Sequence, residues 1–284
     1  MISQLLSIIW NPDKELFRIG NVAILYYSLC WCMGLLLGYL MVKKLYNDQK
    51  IKESLFEPLF IYCLLGIFIG ARLGHCFFYD PAYYFGSLKH FIEIFIPIHF
   101  AQNSWAWKYV GYEGLASHGG TIGLMIALWI YVKKTKLNLM RVLDNIAIAT
   151  PITACCIRLG NLMNSEIVGK ATNVPWGFIF VRNGENFPRH PAQLYEAIAY
   201  LIIFFIGLYL YKKHQKKVGS GFFFGFCIAT IFTFRFLVEF IKEEQGGLDQ
   251  GLFIDMGQIL SIPFIILGIA CMIGGPWLRK IAEK

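Results

Sequence analysis

Arg72, His118, Arg158, Glu196, Arg235 and Glu239 all stand within or at the ends of strongly apolar stretches of this chain. A charge inside a bilayer costs about 2.5–3.5 kcal/mol on insertion scales, so each asks for a purpose. Arginine offers a planar fork of N–H donors that stays protonated and matches the oxygens of a phosphate. Arg158 is the clearest case. No acidic residue lies one helical turn before or after it, and the run Arg158-Leu159-Gly160-Asn161-Leu162-Met163-Asn164-Ser165-Glu166 is polar for the end of an apolar segment. It reads as a phosphate ligand. Arg235 and Glu239 have the i, i+4 spacing of an ion pair on one helix face.

A second kind of chemistry is suggested by Ser117-His118-Gly119-Gly120-Thr121-Ile122-Gly123. Glycines at a helix start allow close approach of backbone or lipid, the helix N-terminus favours negative charge, and His118 is a proton acceptor suited to neutral pH. The plainer alternative is a histidine hydrogen-bonded at a helix start. Arg189-His190-Pro191-Ala192-Gln193-Leu194-Tyr195-Glu196 is another polar helix start, with Pro191 near the first turn. The eight cysteines all fall in or beside apolar runs, and none has a partner at metal-ligand spacing. They read as thiols packing as small hydrophobes, so no metal is expected.

The elements that must carry these residues follow from composition. Of 284 residues, 57% are hydrophobic and 15% charged, against about 25% charged in ordinary soluble domains. Seven apolar segments are expected to span a bilayer, at residues 22–42, 56–78, 119–132, 142–163, 192–211, 221–241 and 256–273. Backbone groups in lipid must be satisfied within a segment, so these are predicted helices, and the fold class is an all-α polytopic membrane bundle forming one domain over residues 1–284. Residues 1–20 do not read as a cleavable signal peptide.

Basic residues fix the expected orientation. Lys43, Lys44, Lys50 and Lys52 follow the first segment, Lys133, Lys134, Lys136 and Arg141 the third, Lys212, Lys213, Lys216 and Lys217 the fifth, and Arg279, Lys280 and Lys284 the last. Positive loops stay cytoplasmic, which places the N-terminus outside and the C-terminus inside. The net charge of +8 is thereby explained by topology, and no contiguous basic face suggests nucleic acid. Loop 80–116, with aromatics that include Tyr79, Trp105, Trp107, Tyr109 and Tyr112, is expected at the outer headgroup level, its apolar stretch 91–98 lying at the interface or re-entering because Pro97 and short length argue against a further span. In this orientation the intramembrane charges share the outer half of the bilayer. Their convergence on one cavity for an anionic lipid is the economical reading. A transporter or scramblase of anionic lipids is the alternative, although paired broken helices in related halves are not evident. The match of Arg72-Leu73-Gly74 with Arg158-Leu159-Gly160 is too short to establish a repeat.

Five blocks then resemble the bacterial prolipoprotein diacylglyceryl transferase family, in its order: Ser117-His118-Gly119-Gly120; Arg158 through Asn164-Ser165-Glu166 to Gly169; Arg189-His190-Pro191-Ala192-Gln193-Leu194-Tyr195-Glu196; Phe234-Arg235-Phe236-Leu237-Val238-Glu239-Phe240; and Met256-Gly257-Gln258-Ile259-Leu260-Ser261-Ile262-Pro263. The resemblance implies seven transmembrane helices in the bacterial cytoplasmic (inner) membrane, with the active site toward the outer leaflet. It implies transfer of the sn-1,2-diacylglyceryl group from phosphatidylglycerol to the lipobox cysteine of a prolipoprotein signal peptide, the first step of lipoprotein maturation, with glycerol 1-phosphate released and no cofactor. Carried over by motif position, His118, Arg158 and Arg235 would be catalytic. Tyr27, Asn161, Glu166, Gly169 and Glu239 would shape the lipid site with the arginines, and Arg72, Gly119, Gly120, Asn164, His190, Gln193 and Glu196 would support it. Lys242 stands where the family often has arginine, Tyr26-Tyr27-Ser28 where a Tyr-Gly pair is common, and the segment between Glu166 and Pro188 is shorter than in some members.

Overall fold

The computed structural model describes residues 7–20, 22–101, 104–110, 114–243 and 255–274. In chain order the elements are β1 (Ile8–Trp10), β2 (Glu15–Ile19), β3 (Val22–Leu25), α1 (Tyr26–Asp48), α2 (Glu53–Phe78), α3 (Pro81–Tyr84), α4 (Leu88–Glu93), β4 (Ile98–Phe100), β5 (Trp107–Tyr109), α5 (Ser117–Thr135), α6 (Leu139–Met163), β6 (Phe178–Phe180), α7 (Ala192–Lys213), α8 (Phe222–Glu239) and α9 (Met256–Ile273). Each expected apolar segment is thus a helix. Five of them, α1, α2, α6, α7 and α8, are long and apolar enough to cross a membrane, and the apolar part of α9 is shorter. Their outward faces carry Leu36, Ile61, Ile69, Phe205 and Ile206, the reverse of a water-soluble bundle and as expected of helices solvated by lipid.

The first segment differs from expectation at its start. Residues 22–25 form β3, paired antiparallel with β2 as a hairpin, and the helix begins only at Tyr26. The β-branched Val22 and Ile24 favour the extended state, and Gly20, at φ +58, supplies the left-handed residue that the reversal needs. Within loop 80–116, the stretch expected at the interface or re-entering is not a single element. Residues 91–93 end α4, residues 94–97 form a turn and bend, and Ile98 opens β4, which pairs with β5. Tyr112, Glu113, Arg279, Lys280 and Lys284 lie outside the described residues.

Two compact units emerge. The smaller is Tyr46–Leu139. In it α2 and α5 meet along Gly66, Gly70 and Gly74 on one side and Gly119 and Gly123 on the other, a four-residue spacing that brings helix backbones together. A methyl group on Gly70 would run into the carbonyl oxygen of Gly119, and one on Gly119 into that of Gly70. Arg72 is buried here. Its guanidinium donates to the backbone carbonyls of Glu93 (2.6 Å) and Ile94 (3.3 Å) and lies 4.9 Å from the Tyr84 ring centroid. Glu93, also buried, accepts from Tyr83 Oη (2.8 Å) and the Phe100 amide (2.7 Å) and pairs with His99 at 3.1 Å. Burial beside Glu93 pushes the Tyr83 hydroxyl pKa upward. Arg72 therefore secures the loop rather than standing ready for a ligand.

The larger unit comprises the chain to Leu45 and from Met140 onward. β1 pairs parallel with β6, while Trp10 Nε1 donates to the Leu162 carbonyl (2.9 Å) and Arg182 to the carbonyls of Met163 (2.9 Å) and Pro12. These contacts hold the end of α6, where Arg158 sits. At the other end of α6, the buried Asp144 carboxylate accepts from the amides of Gly219 (2.8 Å), Gly221 (3.2 Å) and Phe224 (2.9 Å), capping α8 from a neighbouring helix. Asp144→Ala is expected to lower stability by about 2–3 kcal/mol, because it strands buried N–H groups. A thermal melt in detergent checks this, and an unchanged midpoint would deny the capping role.

Candidate functional site

The site is built on Glu196, which is fully buried on α7. Pro191 stands at the N-cap with its ring pre-set for the helix, and Glu196 follows just over one turn later. A buried carboxylate must be neutralised, and this one is. Arg158 Nε lies 3.0 Å from Glu196 Oε2, Lys242 Nζ lies 3.6 Å from the same oxygen, and Tyr200 Oη donates to Oε1 at 3.2 Å. Lys242 also reaches Glu239 Oε2 at 3.4 Å. Arg158, Lys242, Glu196 and Glu239 thus form a balanced cluster in which each cation has a fixed position.

From Arg158 the network runs on along the chain. Its Nη1 donates to Asn161 Oδ1 (3.4 Å), and Asn161 Nδ2 (3.4 Å) and Asn164 Nδ2 (3.0 Å) donate to the Glu166 carboxylate. Gln193 Nε2 donates to the Glu166 backbone carbonyl, and Asn183 Nδ2 to that of Ser165 at 3.0 Å. The turn itself is strained, with Ser165 and Ile167 both at φ +58. A β-branched residue in the left-handed region is an outlier, and such residues persist where surrounding contacts over-determine the backbone. Gly169 completes the turn: its amide donates to the His190 carbonyl (2.9 Å), and a Cβ there would lie 2.6 Å from His190 Cβ and 2.8 Å from the Ile241 carbonyl.

The tertiary structure therefore gathers Arg158, Asn161, Asn164, Glu166, Gly169, Gln193, Glu196 and Glu239 in the larger unit. Tyr27 packs its ring on Gly160, where a Cβ would lie 3.0 Å from Tyr27 Cδ2. His190 Nδ1 lies 3.1 Å from Tyr195 Oη, which accepts from Trp176 Nε1 at 2.9 Å, and burial lowers the imidazole pKa.

Three expectations change. Arg235 and Glu239 do not pair: Glu239 turns to Lys242, and Arg235, half-buried, makes no hydrogen bond or ion pair among the described residues. Arg72 belongs to the smaller unit and is engaged by loop carbonyls. Gly119 and Gly120 belong to that unit too and face α2, so their small size serves helix packing, while His118 in the first turn of α5 is exposed. One further residue was noted in the sequence only as a departure from a family arginine. Lys242, 6% exposed, bridges both carboxylates of the cluster, and its i+3 spacing from Glu239 was the signal available.

Comparison with known proteins gives the family. A family model described as prolipoprotein diacylglyceryl transferase matches residues 14–274. A protein of Bacteroides fragilis named phosphatidylglycerol–prolipoprotein diacylglyceryl transferase is 57% identical over 272 residues, 96% of each chain. Proteins of the same name from Porphyromonas gingivalis and Tolumonas auensis are 40% and 38% identical, covering 92% and 93% of this chain and 92% and 96% of their own. Matches of this extent, running through every polar motif of the site, show that the chain belongs to the prolipoprotein diacylglyceryl transferase family.

Proposed function

We propose that this chain transfers the sn-1,2-diacylglyceryl group of phosphatidylglycerol to the lipobox cysteine of a prolipoprotein. The thiolate sulfur bonds to the terminal carbon of the diacylglyceryl unit, that carbon's bond to the phosphate oxygen breaks, and glycerol 1-phosphate leaves with the electron pair. The observation that carries this reading is the Arg158–Glu196 pair, its carboxylate buried and its arginine partly exposed, extended through Asn161 to Glu166, in a member of this family. Charge grows on the phosphate as the bond breaks, and a cation already oriented in a water-poor site needs no reorganisation to meet it. Glu196 holds the guanidinium in place. Arg235, with no competing carboxylate among the described residues, is the second cation for the phosphate. A thiol near pKa 8.5 is mostly protonated at neutral pH, and His118 is the residue proposed to take its proton.

The same proposal includes one membrane-embedded domain of seven spans in the bacterial inner membrane. The family match runs unbroken through both compact units, which supports one domain. Lys43 and Lys44 lie near the end of α1, Lys133 and Lys134 close α5, and Lys212 and Lys213 close α7, which supports cytoplasmic placement of those ends. Arg158, Glu196 and Glu239 occupy the opposite helix ends, those proposed to face the outer leaflet.

The test uses the full chain in detergent micelles with phosphatidylglycerol and a peptide carrying a lipobox cysteine. Mass spectrometry should find the diacylglyceryl mass on that cysteine and glycerol phosphate in solution, with a serine peptide left unmodified. Folded protein that yields no adduct would defeat the proposal.

A further inference from the structure

Gln193 is fully buried on α7, one turn before Glu196 and therefore on the helix face that meets Arg158. The orientation of its amide follows from its neighbour. Nε2 donates to the Glu166 carbonyl, and turning the amide over would set two acceptors against each other. Oε1 is then an acceptor closed off from solvent that no donor reaches among the described residues. Ser165, adjacent to Glu166 and 4% exposed, has a hydroxyl oxygen in the same condition. Buried polar groups in folded proteins are paired almost without exception, and a buried carbonyl lacking its donor destabilises the fold. Both residues adjoin Glu166, Gln193 through its amide N–H and Ser165 in the chain, at the strained turn whose Glu166 carboxylate Asn161 links to Arg158.

The natural occupant is a ligand that brings hydroxyl donors next to a phosphate. Resting on the lipid substrate proposed above, we infer that Gln193 Oε1 receives a free hydroxyl of the head-group glycerol, with the Ser165 hydroxyl as the second unpaired group of the same turn, so that Gln193 selects the lipid by its head group. Phosphate and ester oxygens of that lipid can only accept, so the head-group hydroxyls are its only strong donors. They lie a few bonds beyond the phosphate that Arg158 holds. Gln193 thus acts on specificity, and a site built to bond a hydroxyl rejects an analogue without it because the protein's own buried group is left unpaired.

The experiment sets phosphatidylglycerol against phosphatidylethanol of the same acyl chains, in micelles with the full-length chain and a lipobox peptide. The reacting carbon–oxygen bond is the same in both lipids, and only the hydroxyls differ. For the unaltered protein kcat/KM should favour phosphatidylglycerol by about 10- to 100-fold. In Gln193→Met the ratio should fall to within about threefold, through loss of turnover on phosphatidylglycerol. Gln193→Asn, which keeps an amide but withdraws its carbonyl, should give an intermediate ratio and takes the place of the methionine variant if that does not fold. Equal use of the two lipids by the unaltered protein overturns the inference whatever the variants do. So does a Gln193 defect of equal size on both lipids, the result expected if the missing donor were the peptide's thiol or backbone N–H. Absence of product from either lipid would overturn the transferase reading itself, and the head-group inference with it.

Discussion

Arg158→Ala should reduce kcat/KM for peptide lipidation by about 10³-fold or more, the largest effect expected of any single replacement in this chain. Two losses combine. In the role proposed for Arg158 the phosphate loses its oriented cation, and Glu196 Oε2, fully buried, keeps only the more distant Lys242 at 3.6 Å. Breaking a buried pair from one side leaves an uncompensated charge, so folded yield should fall as well. The two effects separate in the double variant Arg158→Ala/Glu196→Gln, which removes the stranded carboxylate charge. It should recover the yield and melting behaviour of the unaltered chain while activity stays lost. Recovery of activity in the double variant would reduce Arg158 to a structural counter-ion. Arg158→Lys should also remain far below the original rate, because an ammonium does not reproduce a fork that meets Glu196 through Nε and Asn161 through Nη1.

Arg235→Ala should lower kcat/KM by about 10²- to 10³-fold with little change in thermal stability. The contrast with Arg158 is the informative part. Arg235 has no hydrogen bond or ion pair among the described residues, so its removal strands no partner there. An arginine held half-buried without an acidic partner is available to a ligand's charge, and its loss should register in turnover alone. Arg235→Lys should retain part of the activity, since a point charge still attracts phosphate. Activity of Arg235→Ala within threefold of the original would remove it from the phosphate site, as would a large fall in melting temperature. Measuring kcat and KM separately adds resolution. A change carried by KM alone marks uniform binding of the lipid, and one carried by kcat marks an interaction made as the phosphate departs.

The ion network shows where sequence reasoning stops. Arg158 could be singled out because an arginine in an apolar run is costly, and the absence of an acid one turn before or after it was visible in the spacing. Its partner could not be, because Glu196 reaches it from α7, across 38 positions of chain, and only helix packing sets that meeting. The same limit explains the failed pairing of Arg235 with Glu239. Helical spacing permits the bond, but Glu239 finds Lys242 instead, and Glu196 draws the same ammonium. Gly119 and Gly120 teach a related lesson. Small residues at a helix start suit a bound lipid and close helix contact equally, and here α2 occupies the space.

The sequence by itself determined the class of this protein and the positions of its long apolar helices, and it picked out the residues whose chemistry suits a phosphate. It could do so because hydropathy over about 20 residues and the cost of a charge in lipid are local properties of the chain. Tertiary structure alone decided which charges neutralise one another, that Arg72 is held by loop carbonyls, and where a buried amide oxygen is left without a donor among the described residues. Those outcomes depend on side chains brought from distant helices to within about 3–4 Å, where burial strengthens a good partner and penalises a missing one.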